Sequence, residues 1–162
     1  MSRERQELLS RSALGVFRLN GQFLAVAEEL AGPAGLTAAR WQVLGAVLGD
    51  PLPVSGIARA MGITRQSVQR IADLLVESGL AEYRPNPAHR RAKLLAPTAQ
   101  GRAAIARIDP GHTAFADRLA QEFGEAELAE AVRLLERLSE VLDGLAAPAA
   151  ESPVADVPVT EP

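Results

Sequence analysis

Along residues 5–31, Ala13, Asn20 and Ala27 fall seven apart, as do Val16, Phe23 and Leu30. Those two rows lie side by side on one face of a helix, so the segment reads as a long amphipathic helix. The turn Gly32-Pro-Ala-Gly35 ends it. Thr37 then caps a second helix over about 38–49 that buries Trp41, Leu44 and Leu48, and Gly49-Asp-Pro51 breaks it. A short helix over 55–61, capped by Ser55, passes through Gly62 into a helix over about 65–78, which Thr64 caps and Gly79 closes. Leu80–Arg84 and Ala92–Ala96 read as the two strands of a hairpin, joined by a loop that begins at Pro85-Asn-Pro87. Thr98 starts another helix. At Asp109-Pro110 the chain carries a fresh N-cap and first-turn proline, which predicts a kink or restart before the helix runs on to about Phe123. Over 125–145, Leu128, Leu135 and Leu142 recur every seven residues, and so do Ala131, Leu138 and Leu145, forming a heptad seam. Residues 147–162, rich in proline and acids, read as a disordered tail.

Composition narrows the classes. With 162 residues, 48% of them apolar, the chain can bury one core and carry an extension. No apolar run approaches the roughly 18 residues of a membrane span, and the N-terminus lacks an apolar signal core. The expectation is a cytoplasmic protein with no membrane partner. Zero cysteines exclude disulfides, thiolate zinc sites and thiol redox switching. The glycines are scattered, so there is no phosphate loop. His89 and His112 lie on different elements with no partner apparent in sequence. The chain is therefore not expected to be an enzyme or to hold a metal or cofactor.

The net charge of −3 argues against a nucleic-acid partner until its distribution is read. Residues 52–108 hold eight arginines and one lysine against Asp73, Glu77 and Glu82, while residues 109–162 hold three arginines against twelve acids. A positive middle beside an acidic end presents one cationic face to an anionic polymer.

That middle contains VSGIARAMGITRQSVQRIAD, residues 54–73. Ile57, Met61, Ile63, Val68 and Ile71 are its apolar positions. Ala58 is small where two helices cross, and Gly62 sits where a sharp turn favours positive φ. This is the pattern of a helix-turn-helix, whose second helix enters the DNA major groove. At 100° per residue Val68, Ile71, Ala72 and Leu75 share the packing face. Gln66 and Arg70 point the other way, flanked by Arg65, Ser67 and Gln69. Glutamine pairs with adenine and arginine with guanine, whereas Thr64 and Ser67 suit phosphates beside a helix N-terminus. The hairpin that follows works as a wing. Arg90 and Arg91 at its tip reach a minor groove, and Arg84 and Lys93, on its strands, lie over phosphates.

GLTAARWQVL (35–44), PVSGIARAMGITRQSVQRIADLLVESGLAEY (53–83) and HRRAKLLAPTAQGR (89–102) together resemble the MarR family of winged-helix transcription regulators, over about residues 8–145. Two positions depart from that family's pattern. His89 stands where a wing aspartate is expected, and Pro97 where a leucine precedes Thr98. In the family the aspartate braces the wing arginine, matched here by Arg91. With His89 instead, Arg91 is either less fixed or held by a neutral imidazole.

The resemblance implies a mainly α fold with a small β-hairpin wing, a winged helix-turn-helix plus a helical dimerisation region. Residues 1–34 would form the N-terminal dimerisation helix, 35–98 the DNA-binding domain, 99–146 the C-terminal dimerisation helices and 147–162 the tail. It also implies a homodimeric repressor that holds a pseudo-palindromic duplex and is released by a small aromatic effector. Trp41 is the candidate effector contact, although Trp41 and Phe17 read first as core residues and His112 as an ordinary helix residue. The competing reading is a winged-helix protein-interaction module without DNA binding.

Overall fold

A computed structural model of the chain describes residues 2–146; the tail expected over 147–162 lies outside the described residues. The elements run α1 (Ser2–Ala31), a 3₁₀ turn (Gly32–Ala34), α2 (Ala38–Ala46), β1 (Leu52–Pro53), α3 (Val54–Met61), α4 (Arg65–Glu77), β2 (Ala81–Arg84), β3 (Leu94–Pro97), α5 (Ala99–Phe123) and α6 (Glu125–Ala146). The described residues divide into two compact units, one up to Phe115 and one from Ala116 onward.

The first unit is built around wholly buried Val43, Leu44, Val47, Ile57, Val68, Leu75 and Leu95, with Ile108 from the first half of α5 beside them. Each such side chain contributes roughly 1.5–3 kcal/mol when removed from water. No polar side chain is buried among the described residues. The helices meet this core with the periodicity expected: Val68, Ala72 and Leu75 of α4 are buried while Gln66 and Arg70 are exposed. α2 is fixed at its start by two acceptors. Thr37 Oγ1 accepts from Arg40 N–H, and Glu28 of α1 accepts from Ala38 N–H at 2.8 Å. It ends at Ala46, before the expected 49, because Val47 and Leu48 donate instead to Leu44 and Gly45 and tighten the last turn.

The sheet corrects the expected two-stranded hairpin. It has three antiparallel strands in the order β1-β3-β2. Leu95 in the middle strand faces Leu52 on one side and Tyr83 on the other. Because Leu52–Pro53 is strand, α3 starts directly from it, and Pro53 rather than Ser55 occupies the N-cap without a side-chain cap bond. Ser55 thus lies in the first turn of α3. β3 also begins later than expected, at Leu94, so Ala92 and Lys93 belong to the wing loop and not to a strand.

α5 runs through Pro110 without a break, so the restart expected at Asp109-Pro110 does not occur. A proline inside a helix removes one N–H, and with it the partner of the carbonyl four residues earlier. Ile105 and Ile108 are buried just before it, and Gly111 just after it lies against Leu30 of α1. Packing on both sides holds the helix across the missing bond. Gly101, in the first turn of α5, allows a close approach: a Cβ there would collide with the Leu80 carbonyl oxygen, which also accepts from Thr98 N–H.

Two regions keep apolar side chains in the open. On α1, Leu8, Leu9, Leu14, Val16, Phe17, Leu19, Phe23 and Leu24 are exposed. Phe17 is 70% exposed, which corrects its reading as a core residue. α6 buries no residue at all, and Val132, Leu134, Leu135, Leu138, Val141, Leu142 and Leu145 are exposed along it.

Candidate nucleic-acid interface

The turn between α3 and α4 takes the form its sequence implied. Gly62 adopts φ 65°, a left-handed conformation that glycine enters without a Cβ clash. Thr64 then caps α4: its Oγ1 accepts from Ser67 N–H at 3.1 Å and donates to Ser67 Oγ at 2.9 Å. Such a cap stabilises a helix by about 1 kcal/mol. The Thr64 hydroxyl proton is thereby committed to Ser67. The first turn of α4 carries no acid, so its free N–H groups and the arginine beside them present an uninterrupted positive end.

Across from α4 stands the loop between β2 and β3. Asn86 organises it. Its Oδ1 accepts from Ala88 N–H and its carbonyl accepts from His89 N–H, and the His89 carbonyl accepts in turn from Ala92 N–H. Two successive turns therefore shape the wing through the backbone. Among the described residues the His89 side chain makes no bond to Arg91, so of the two alternatives the structure has the wing arginine unbraced by this imidazole.

Helix and wing enclose a cleft of about 630 Å³. Arg65, Gln66 and Gln69 line it from α4, Ser55 from α3, and Arg91 and Lys93 from the wing. The two wing-tip arginines, expected to act as a pair, separate. Arg91 lines this cleft, whereas Arg90 lines a second depression of about 530 Å³ with Arg84 and Lys93. Arg70 lies on a third stretch of surface with Gln66, Asp73 and Glu77.

Not all of these side chains are equally free. Arg84 is paired with Glu82, two residues away on the same face of β2, at 2.6 Å. Both are about half exposed, so the pair contributes little to stability, but it leaves Arg84 partly neutralised. Arg65, Arg70, Arg90, Arg91 and Lys93 make no ion pair or side-chain hydrogen bond among the described residues. Gln69 is engaged: its amide nitrogen donates to Asp73 Oδ1 at 2.9 Å and to the Tyr83 hydroxyl at 2.8 Å, and Tyr83 donates to the same Asp73 oxygen at 2.6 Å. Burial, then the Asp73 carboxylate, pushes the Tyr83 phenol up to about 12. The sequence reading missed this triad. Gln69 and Asp73 stand four apart on one helix face, which was a visible sign; the tyrosine arrives from β2.

Trp41, expected as an effector contact, is half-buried against the core. Its ring meets the His112 imidazole edge-on, with centroids 5.5 Å apart and planes at 88°. His112 is thus an aromatic partner of Trp41 as well as a helix residue. No group of three or more potential metal ligands occurs among the described residues. No helix among them is long and apolar enough to cross a membrane.

Residues 34–92 match the family model described as MarR family. An uncharacterized protein of Mycobacterium tuberculosis is 41% identical over 120 residues, which cover 74% of this chain and 84% of that protein. Among solved structures, a MarR family transcriptional regulator from Streptomyces coelicolor is 27% identical with a TM-score of 0.69, covering 83% of this chain and 96% of its own. The transcriptional repressor CouR, solved bound to a 23-mer DNA duplex, is 26% identical with a TM-score of 0.68, covering 77% and 89%.

Proposed function

This chain belongs to the MarR family, and from that premise we propose that it is a dimeric, sequence-specific DNA-binding transcription regulator, a repressor released by a small-molecule effector. The observation that carries the reading is the set of five unpaired cations, Arg65, Arg70, Arg90, Arg91 and Lys93, spread over α4 and the wing beside it. Uncompensated charge on two adjacent projections suits a polyanion whose phosphates line both edges of a groove.

In this reading α4 enters the major groove. Gln66 and Arg70 meet base edges, and Arg65 and Ser67 meet phosphates at the helix N-terminus, where Thr64 serves chiefly by capping. Arg91 closes on the backbone from the opposite wall of the cleft. Arg90 extends toward the neighbouring minor groove, with Lys93 and the partly neutralised Arg84 over phosphates.

The apolar rows of α1 and α6 support a homodimer, since a two-fold axis lets like surfaces cover each other. Two copies then offer two recognition helices to a pseudo-palindrome. An aromatic effector contacting Trp41 acts by binding one dimer shape better than the other and so shifting the DNA equilibrium.

The test is duplex binding at several salt concentrations with footprinting of the preferred site. Each phosphate neutralised should add about −0.9 to the slope of log affinity against log salt. A steep slope with a protected pseudo-palindrome is expected. Weak, salt-insensitive binding would sink the reading and favour a protein-interaction module of the same fold.

A further inference from the structure

We propose that Gln69, Asp73 and Tyr83 form a clamp between α4 and the wing, making Gln69 a positioning residue and masking Asp73 from DNA phosphates. This rests on the DNA-binding reading above and changes the role expected of Gln69 within it.

Donor counting carries the first half. Gln69 Nε2 has two protons, and both are used, one on Asp73 and one on the Tyr83 oxygen. Tyr83 has one proton, and it goes to Asp73. Reading adenine takes a free amide N–H together with the amide oxygen, so Gln69 would have to break the clamp to read a base. Gln66, one turn earlier, makes no such bond among the described residues and lines the cleft beside Arg65.

Position carries the second half. Asp73 is the first acid on α4 after eight residues without one, and it shares a stretch of surface with Arg70 and Gln66. A bare carboxylate there would repel phosphate. In the clamp two donors point at the same Oδ1, placing their positive ends on the charge. Tyr83 is held in turn by the sheet, where it pairs with Leu95 and packs on the core. The wing loop begins two residues after it. The clamp therefore ties the base of the wing to the second turn of α4, across the floor of the cleft that Arg65 and Arg91 share. Less conformational freedom is then lost when a duplex enters.

The experiment measures affinity of the full chain for a duplex selected by the wild-type protein, and for single-base variants of that duplex. Tyr83→Phe and Gln69→Ala should each weaken binding about tenfold on every duplex alike, the effect of losing hydrogen bonds to a charged group. Their order of base preference should stay that of the wild type, and their melting temperatures close to it. Adding Asp73→Asn to Tyr83→Phe should recover part of the loss. The chain has a single tyrosine, so phenolate absorbance follows that side chain alone: Asp73→Asn should lower the midpoint from about 12, by the part that Asp73 adds to the effect of burial.

A change of preference at one base pair with Gln69→Ala would make it a reader and overturn the proposal. So would unchanged affinity in both variants while Arg70→Ala binds less tightly; that outcome leaves the DNA reading standing. Failure of the wild-type protein to bind any duplex removes the DNA reading and the clamp's role with it. Should Tyr83→Phe fail to fold, Gln69→Ala, an exposed position, decides alone.

Discussion

Leu75 in α4 and Leu135 and Leu142 in α6 all occupy apolar stripes with helical spacing, yet Leu75 is fully buried while the other two are 45% and 51% exposed. The difference lies in what each helix has to pack on. α4 meets α2, α3 and the sheet within one chain, and its stripe is consumed. α6 buries none of its residues, and the seam it carries is of the kind that a second helix fills. A pattern of leucines therefore states that a face will be covered and leaves open by what. The winged domain answers that question internally; the proposed dimer answers it for α6.

The sharpest way to break the comparison is to remove a leucine from each side. Leu75→Ala should cost about 2–5 kcal/mol in denaturant unfolding, from lost burial and the cavity left behind. Leu135→Ala made at a concentration where the chain is monomeric should cost far less; equal losses would end the distinction. Charging the seam tests the other half. Leu135→Glu with Leu142→Glu should give a monomer in sedimentation and weaken duplex binding by about a hundredfold, because the two recognition helices no longer act together. A dimer that persists would show the seam has another use.

Within the winged domain, α4 and the wing can be separated by their readouts. Arg70→Ala should cost about 1–3 kcal/mol at one base pair and relax preference there, whereas Arg91→Ala should weaken all duplexes alike. Binding by both variants at wild-type strength would remove both from the interface. The phenol of Tyr83 gives a pH test. Its value is about 12 in the folded chain against 10 when free, so between those limits the unfolded chain binds fewer protons than the folded one. Stability tied to the neutral phenol, held by burial first and by Asp73 second, is thus complete below pH 10 and is lost as pH rises through 12. Alkaline denaturation of Tyr83→Phe should lack that component. The smallest expected effect is on α6. Arg133 and Glu130 are an exposed pair one helical turn apart, and Arg133→Ala should leave the melting temperature unchanged.

Local chemistry makes much of this fold legible in the sequence. Gly62, Thr64 and the spacing of Val68, Ala72 and Leu75 each specify a conformation within a few residues, and each was read correctly. β1 was missed because two residues carry no periodicity; only their pairing with Leu94 and Leu95 makes them a strand. Ser55 failed as a cap for the same reason, since the strand decides where α3 begins. At Pro110 the local rule for proline was right about the lost hydrogen bond but silent on the packing of Ile105, Ile108 and Gly111 that carries the helix across it. In the candidate site, residue types pointed to the cationic side chains. Which were free, and which were bound by Glu82 or by the Tyr83 triad, depended on contacts between elements distant in sequence.

β3 is gripped on both edges, with Leu95 buried between Leu52 and Tyr83, and the loop before it is shaped by its own turns. Foundation and tip are consequently decoupled. Insertions, deletions or exchanges of charge in residues 85–93 should be tolerated by folding, so this segment can diverge and retune its reach along a duplex while the helix that discriminates bases stays as it is.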